Sequence, residues 1–180
     1  VHGGGPRIKK ELEKLNIESK FINGLRVTDK KTMEIVEKAL VDFNYEIIEK
    51  LKKKNCKSEG LNVSTNNIFV VEQEDKNLGY VGKPKKIFNE KINAVIDKNI
   101  IPVLSPMGKD VDNQKYNINA DSAAAAVAKS LKSRRLLLMT DVEGVYDKNK
   151  KLINEIKPNE AKSLIDKKIV QGGMIPKLLN

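Results

Sequence analysis

The sequence predicts an α/β fold in which a mostly parallel central sheet is covered by helices on both faces, a three-layer α/β/α sandwich. Two observations predict it. Apolar segments of strand length alternate along the chain with segments whose apolar residues recur every three or four positions. The chain also carries a glycine run at residues 3–5, of the kind that follows a buried strand and binds an anion through exposed backbone N–H groups.

The composition limits the class of protein. A chain of 180 residues suits one domain, and with 39% hydrophobic but only 4% aromatic residues the core must consist mainly of Ile, Leu, Val and Ala. The single cysteine, Cys56, excludes an internal disulfide and favours a reducing, cytoplasmic location. No apolar run has membrane-spanning length, so no membrane partner is expected.

The net charge of +10 raises the question of nucleic-acid binding. Lysine supplies most of the positive charge and is scattered over predicted helix surfaces, while arginine is scarce. No aromatic residues alternate with the basic ones as stacking platforms would. We therefore expect no nucleic-acid partner.

The first third of the chain predicts a helix, a short hairpin and a long helix. Residues 7–15 have helical apolar spacing, and residues 21–28 form an extended segment with a turn at Asn23-Gly24. Asp29 can cap the helix that follows. That helix carries an apolar stripe suited to a core or a subunit interface, made of Val36, Leu40, Phe43, Ile47 and Leu51.

The remaining elements alternate between strand and helix. Residues 61–71 are predicted as strand interrupted near 65–67 by a hairpin turn, and residues 97–105 as a helix end leading into a strand with 100–104 buried. A polar loop at 109–114 precedes an alanine-rich helix at 122–131. Residues 136–139 are continuously apolar, which is typical of a central parallel strand, and 159–167 predict the last long helix.

Several polar residues carry possible chemistry. Arg26 stands among apolar neighbours, as an ion-pair partner or as a bidentate carboxylate clamp. Asn117, Asn119 and Asp121 flank a strand-to-helix junction where a cap needs only one of them, so the others can project into a crevice. Lys177 follows Gly172-Gly173, which can turn its cation inward.

Other signals are weaker. The acidic segment 140–147 suits a nucleotide, although it can equally be an ordinary acidic turn. His2, the only histidine, has no triad or metal partners in the sequence and is interpreted as structural. Neither a Walker A pattern nor a dinucleotide-binding glycine motif is present.

Five segments, in order, resemble motifs of the amino-acid kinase family: residues 1–6, 23–29, 116–124, 138–146 and 172–177. The resemblance implies a substrate-binding lobe at 1–133 and a partial nucleotide-binding lobe at 134–180. The blocks at 23–29 and 116–121 favour the branch that phosphorylates the side-chain carboxylate of N-acetyl-L-glutamate with ATP and Mg²⁺. Glutamate 5-kinase, aspartokinase and uridylate kinase types are alternatives, as is a non-catalytic relative that binds an amino acid and regulates a partner.

The resemblance also implies roles for individual residues. Gly4 and Gly5 would offer backbone donors, Arg26 would bind the α-carboxylate and Asn117 would help to hold the substrate. Lys177 would neutralise charge on the transferring phosphoryl group, and Asp121 would orient catalytic lysines. The nucleotide site would be lined by Thr140, Asp141, Val142, Glu143, Gly144, Val145, Tyr146, Ile169, Val170 and Gln171. No residue is expected to bind a metal directly.

The chain departs from the family pattern in three places. The family's first strand, which ends in a Lys-x-Gly-Gly motif, is absent before Val1, and the C-terminal part of the nucleotide lobe is absent after Asn180. Residues 60–66 stand where the family often has a Ser-Gly-Lys-Asp-Gly stretch. We therefore expect a piece truncated at both ends that is inactive alone, from a complete protein that forms a homo-oligomer.

Overall fold

A computed structural model describes residues 1–179 and confirms the α/β class. The helices are α1 (Gly5–Lys14), α2 (Lys30–Lys52), α3 (Asn89–Ile96), α4 (Ala120–Ser130), α5 (Pro158–Asp166) and α6 (Met174–Leu179). The strands are β1 (Phe21–Ile22), β2 (Leu25–Arg26), β3 (Ser58–Leu61), β4 (Phe69–Gln73), β5 (Gly82–Ile87), β6 (Ile101–Leu104), β7 (Met107–Lys109) and β8 (Lys115–Asn117). A short 3₁₀ helix spans Lys76–Leu78.

The described strands form three small sheets. β1 and β2 make an antiparallel hairpin, β3 pairs in parallel with β6, and the third sheet has the order β5-β4-β7-β8. In that sheet β4 runs parallel to β7, while β4–β5 and β7–β8 are antiparallel. The pairing among residues 1–179 is therefore mixed rather than mostly parallel, because β4 and β5, and likewise β7 and β8, are consecutive strands without an intervening α-helix and pair in antiparallel fashion.

The local signals at residues 21–29 produce the predicted structures. Asn23 and Gly24 have φ values of 50° and 80°, the left-handed conformations that a two-residue hairpin turn requires. The turn sets the register, in which Phe21 pairs with Arg26. Asp29 caps α2 by accepting a 2.7 Å hydrogen bond from the backbone N–H of Thr32, and this bond is the main reason that the pKa of Asp29 is lowered.

Two apolar clusters form the core. One lies between the mixed sheet and helices α3 and α4, and includes Phe69, Ile92 and Ile118. The other packs α1 against α2 and contains Val36 and Leu40 of the predicted stripe, both fully buried. These two residues of the stripe are thus buried within the chain itself.

The predicted hairpin within residues 61–71 is wrong. β3 ends at Leu61 and pairs with β6, whereas β4 begins at Phe69 and belongs to the mixed sheet. Between them Asn62 Oδ1 accepts hydrogen bonds from the backbone N–H groups of Ser64 and Thr65, both at 3.1 Å. This turn closes locally and sends the chain from one sheet to the other.

The predicted central strand at residues 136–139 is also wrong. These residues form no strand, and Leu137 and Met139 are 77% and 89% exposed. A strand needs neighbours that accept its backbone hydrogen bonds, and the part of the chain that the structure describes has no strand paired with it. Similarly, the expected burial of residues 100–104 holds for Val103 and Leu104, but Ile101 is 47% exposed.

The structure also bears on membrane association. Among residues 1–179, no helix has the length and apolar character needed to cross a membrane.

Candidate active site

A cleft of about 600 Å³ brings together six of the residues singled out from the sequence. They come from the glycine run, the β1–β2 hairpin, the end of β8, the first turn of α4, and α6. The six are Gly4, Gly5, Arg26, Asn117, Asp121 and Lys177. Residues separated by most of the chain thus face one space.

The glycine run leads into the N-terminus of α1. Gly4 is the N-cap of this helix and, having no side chain, cannot cap the backbone N–H groups of the first turn. Pro6 lies in the first turn of the helix. The first turn carries no acidic residue, so its unpaired backbone N–H groups and the positive end of the helix dipole are not neutralised from within. A Cβ on Gly5 would have no atom within 4 Å. This end of α1 suits an anionic group.

Arg26 is a buried cation on the wall of the cleft, only 9% exposed. Its Nη1 donates to Ser19 Oγ, its Nη2 donates to the carbonyl oxygen of Gly5 at 3.4 Å, and its guanidinium carbon lies 4.7 Å from the centre of the Phe21 ring. Within residues 1–179 no carboxylate forms an ion pair with it. Burial lowers the pKa of Arg26 from its usual value, yet arginine stays charged in proteins. A desolvated guanidinium without a counter-ion is suited to a carboxylate ligand.

Asn117, at the end of β8, is as buried as Arg26, at 9% exposure. Its Nδ2 donates to Thr28 Oγ1 at 3.4 Å, and Thr28 Oγ1 in turn donates to the backbone carbonyl of Arg26 at 2.9 Å. Its backbone N–H donates to the carbonyl of Tyr80 at 2.9 Å. These bonds fix the position of the amide relative to the hairpin that carries Arg26.

Asp121 and Lys177 form an ion pair at the cleft. Lys177 Nζ donates to both carboxylate oxygens of Asp121, at 2.7 and 2.8 Å. Asp121 lies in the first turn of α4, where the Asn119 side chain caps the helix by accepting from the N–H groups of Asp121 and Ser122. The carboxylate therefore holds the ammonium group of Lys177 in a defined place.

His2 lines the same cleft but is held by hydrogen bonds on both ring nitrogens. Nδ1 donates to the carbonyl of Gly3 at 2.9 Å, so Nε2 is the acceptor for the amide of Asn44 at 3.2 Å. Burial lowers the pKa of His2, which favours the neutral ring that this pattern needs. The arrangement is that of a structural residue.

The ten residues predicted for the nucleotide are not among those that line this cleft. Residues 140–146 follow the exposed segment 136–139, and the side-chain bonds described there are local: Thr140 to Asp141 and Tyr146 to Glu143, both at 3.2 Å. Val170 is buried, while Gln171 is exposed and donates to the carbonyl of Lys168. The structure thus leaves these two segments outside the space that Arg26 and Lys177 share.

Sequence reasoning missed the aromatic wall of the cleft. Phe21 lines it and lies over the guanidinium of Arg26, yet it carried no signal by itself. The signal that could have found it is the Asn23-Gly24 turn, because a two-residue turn places Phe21 opposite Arg26 in the hairpin register. In the described residues no group of three or more His, Cys, Asp or Glu side chains could hold a metal ion.

The sequence of the chain is similar to those of curated acetylglutamate kinases. The chain is 52% identical over 180 residues to the acetylglutamate kinase of Pelagibacter ubique (strain HTCC1062), covering 100% of this chain and 62% of that protein. It is 46% identical over 185 residues to the acetylglutamate kinase of Petrotoga mobilis, covering 99% of this chain and again 62% of the relative. The chain thus spans about 62% of the length of these two curated relatives.

Solved structures agree on the fold. The crystal structure of smu.665 from Streptococcus mutans UA159 matches with a TM-score of 0.94 at 36% identity, over 99% of this chain and 73% of that one. N-acetylglutamate synthase from Neisseria gonorrhoeae, complexed with coenzyme A and N-acetyl-glutamate, matches in fold with a TM-score of 0.83 at 18% identity, over 98% of this chain and 41% of that one. The model of the amino acid kinase family matches residues 1–180. The chain therefore belongs to the amino acid kinase family.

Proposed function

We propose that the protein is an acetylglutamate kinase, which transfers the γ-phosphoryl group of ATP to the side-chain carboxylate of N-acetyl-L-glutamate in arginine biosynthesis. The product is N-acetyl-L-glutamyl 5-phosphate. The observation that carries the proposal is the convergence of Arg26, Asn117, the glycine run and the Asp121–Lys177 pair on one cleft. The names of the two curated relatives support the choice of substrate.

The chemistry suits a site without a general base. A glutamate side chain, with a pKa near 4.3, is already ionised at neutral pH and can attack the phosphorus atom directly. Catalysis then consists of positioning the two reactants and stabilising the charge that develops on the transferring group. Glycine N–H groups, an arginine, a lysine and an asparagine are sufficient for these tasks.

Each residue has a defined part in this scheme. Arg26 binds the α-carboxylate through two parallel N–H donors, and Asn117 holds the substrate beside it. The backbone N–H groups at Gly4 and Gly5 bind the reacting oxygens. Lys177 stabilises the negative charge on the transferring phosphoryl group, and Asp121 keeps the lysine in place.

ATP is the proposed donor, since the family is one of kinases. The free N-terminus of α1 and the Lys177 cation fit the phosphate oxygens, and no residue of this chain is assigned to the accompanying Mg²⁺. Residues 140–146 and 169–171 are proposed for the rest of the nucleotide, within a nucleotide-binding lobe at 134–180 that faces a substrate lobe at 1–133. A cytoplasmic homo-oligomer is part of the same proposal.

Calorimetric titration of the full-length protein tests the substrate. We expect saturable binding of N-acetyl-L-glutamate and much weaker binding of L-glutamate and L-aspartate. Arg26→Ala removes charge-assisted hydrogen bonds and is expected to weaken binding by roughly 1.5–3 kcal/mol. Arg134→Ala, at an exposed arginine, is the matched control and should leave affinity unchanged.

A coupled ADP-release assay on the full-length protein, with the same three acceptors, tests catalysis, because the 180-residue piece is expected to be inactive alone. Preference for L-glutamate or L-aspartate would replace the proposal by another amino-acid kinase. Binding of N-acetyl-L-glutamate without ADP release would favour a non-catalytic amino-acid-binding relative, and affinity unaffected by Arg26→Ala would refute the role of that residue.

A further inference from the structure

We infer that Phe21 and Ser19 are positioning residues for Arg26, which together hold its guanidinium group in place so that its remaining edge can bind a carboxylate. The inference rests on the proposed function, since the carboxylate in question is the α-carboxylate of N-acetyl-L-glutamate. It adds two residues to the site, neither of which needs to touch the reacting atoms.

The hairpin register brings Phe21 onto Arg26. The two residues are cross-strand partners, so their side chains emerge on the same face of the hairpin. The guanidinium carbon lies 4.7 Å from the ring centre, within the range of a cation–π contact. Phe21 is 56% exposed, so core packing does not account for a large aromatic at this position. Its described ring contact is with the guanidinium group.

Ser19 controls a second degree of freedom. Its Oγ accepts a hydrogen bond from Nη1 of Arg26, while Nη2 reaches the carbonyl of Gly5 at the longer distance of 3.4 Å. An aromatic ring face at this distance attracts the guanidinium group but still permits it to turn and to slide over the ring. A hydrogen bond from one edge removes that freedom, and leaves the other N–H groups for a ligand.

Orientation matters because bidentate recognition of a carboxylate requires two parallel N–H donors in a common plane with it. An arginine that is ordered before binding loses less side-chain entropy when the ligand arrives. Loss of either contact is therefore expected to weaken carboxylate binding without removing the charge.

The first experiment compares two ligands by calorimetry. N-acetyl-L-glutamate carries the α-carboxylate, and 4-acetamidobutanoate is the same molecule without it. Phe21→Leu and Ser19→Ala are each expected to weaken N-acetyl-L-glutamate binding by about 3- to 10-fold, while changing binding of 4-acetamidobutanoate by less than about twofold. Phe21→Tyr keeps the aromatic ring and Ser19→Thr keeps the hydroxyl group, so both variants should bind N-acetyl-L-glutamate with nearly the wild-type affinity.

Ile22→Ala is the matched control on the same strand, because successive side chains of a strand point to opposite faces and Ile22 does not line the cleft. The inference would be overturned if Phe21→Leu weakened binding of both ligands equally. It would also be overturned if neither Phe21→Leu nor Ser19→Ala weakened binding of either ligand.

The second experiment does not depend on a ligand. Nitrogen-15 NMR of arginine side chains reports rotation about the bond between Nε and Cζ. We expect separate Nη1 and Nη2 signals for Arg26 in the wild-type chain, and one averaged signal in Phe21→Leu and Ser19→Ala. Averaged signals in the wild type, or separate signals retained in both variants, would contradict the positioning role. Absence of N-acetyl-L-glutamate binding by the wild type would refute the proposed function instead, and the NMR comparison would still decide the inference.

Discussion

Lys177 and Asp121 are 56 residues apart in sequence, yet the lysine Nζ lies 2.7 and 2.8 Å from the two carboxylate oxygens of the aspartate. Their side chains retain only 20% and 18% exposure. The pair joins α4 to α6, and so it links the two predicted lobes at the cleft.

Breaking this pair should destabilise the fold measurably. We expect Asp121→Asn to lower the free energy of unfolding by roughly 1–2 kcal/mol, between the values for exposed and fully buried pairs. Asp42→Asn is the control, since the Lys38–Asp42 pair is largely exposed and should contribute less than about 0.5 kcal/mol. Urea unfolding measures both, and equal effects would contradict the expectation.

Gly24 is expected to resist substitution. Its φ is +80°, and a Cβ there would lie 2.9 Å from the carbonyl oxygen of Gly172. Gly24→Ala should therefore cost about 1–2 kcal/mol or more in unfolding free energy. Gly173→Ala is the matched control, since a Cβ at Gly173 meets no atom within 4 Å and should change stability by less than about 0.5 kcal/mol. A Gly24→Ala variant as stable as the control would show that the hairpin tip can move away from Gly172.

Gly60 allows α2 to approach β3. A Cβ at this position would clash with Asn44 Oδ1 and would lie 2.7 Å from Ile48 Cδ1. Asn44 cannot move freely, because its Nδ2 donates to the carbonyl of Val103 at 2.8 Å. Gly60→Ala should cost about 1–3 kcal/mol through overpacking, measured by thermal or urea unfolding. Adding Ile48→Val to Gly60→Ala should recover part of the lost unfolding free energy. If it recovers none, the contact with Ile48 is not the source of the strain.

His2 should make stability depend on pH. Its pKa is lowered in the folded protein by burial, so the neutral ring is favoured there. The contribution of His2 to stability is present above the unfolded pKa, near 6.5, and is lost as the pH falls below that value toward the folded pKa. Urea unfolding at pH 5.5 and 6.5 measures it. His2→Gln should reduce the difference between the two pH values, and an unchanged difference would assign the titration to other groups.

Local sequence signals account for the parts of the fold that were predicted correctly. The Asn23-Gly24 turn, the Asp29 cap and the spacing of Val36 and Leu40 each act within a few residues, so the sequence alone was sufficient. Residues 61–71 and 136–139 were misjudged because strand pairing depends on distant partners. Apolar composition indicates that a segment can be buried, but not which strand lies beside it.

The sequence predicted the charged residues of the cleft but not the aromatic residue beside them. Arg26 and Lys177 were identified because charged residues stood beside apolar residues or glycines, and both line the cleft. The contact between Phe21 and Arg26 could be found only by adding the hairpin register. The roles of these residues in binding and catalysis remain predictions, to be tested as described above.

The two glycines Gly4 and Gly5 are surrounded differently, although both line the cleft. A Cβ on Gly4 would collide with the end of the Leu40 side chain, which is fully buried, so alanine at Gly4 would force the packing between α1 and α2 to shift. Gly5 faces no such obstacle. Alanine at Gly5 would therefore report on ligand approach with little disturbance of the interior, whereas alanine at Gly4 would alter both the cleft and the packing behind it.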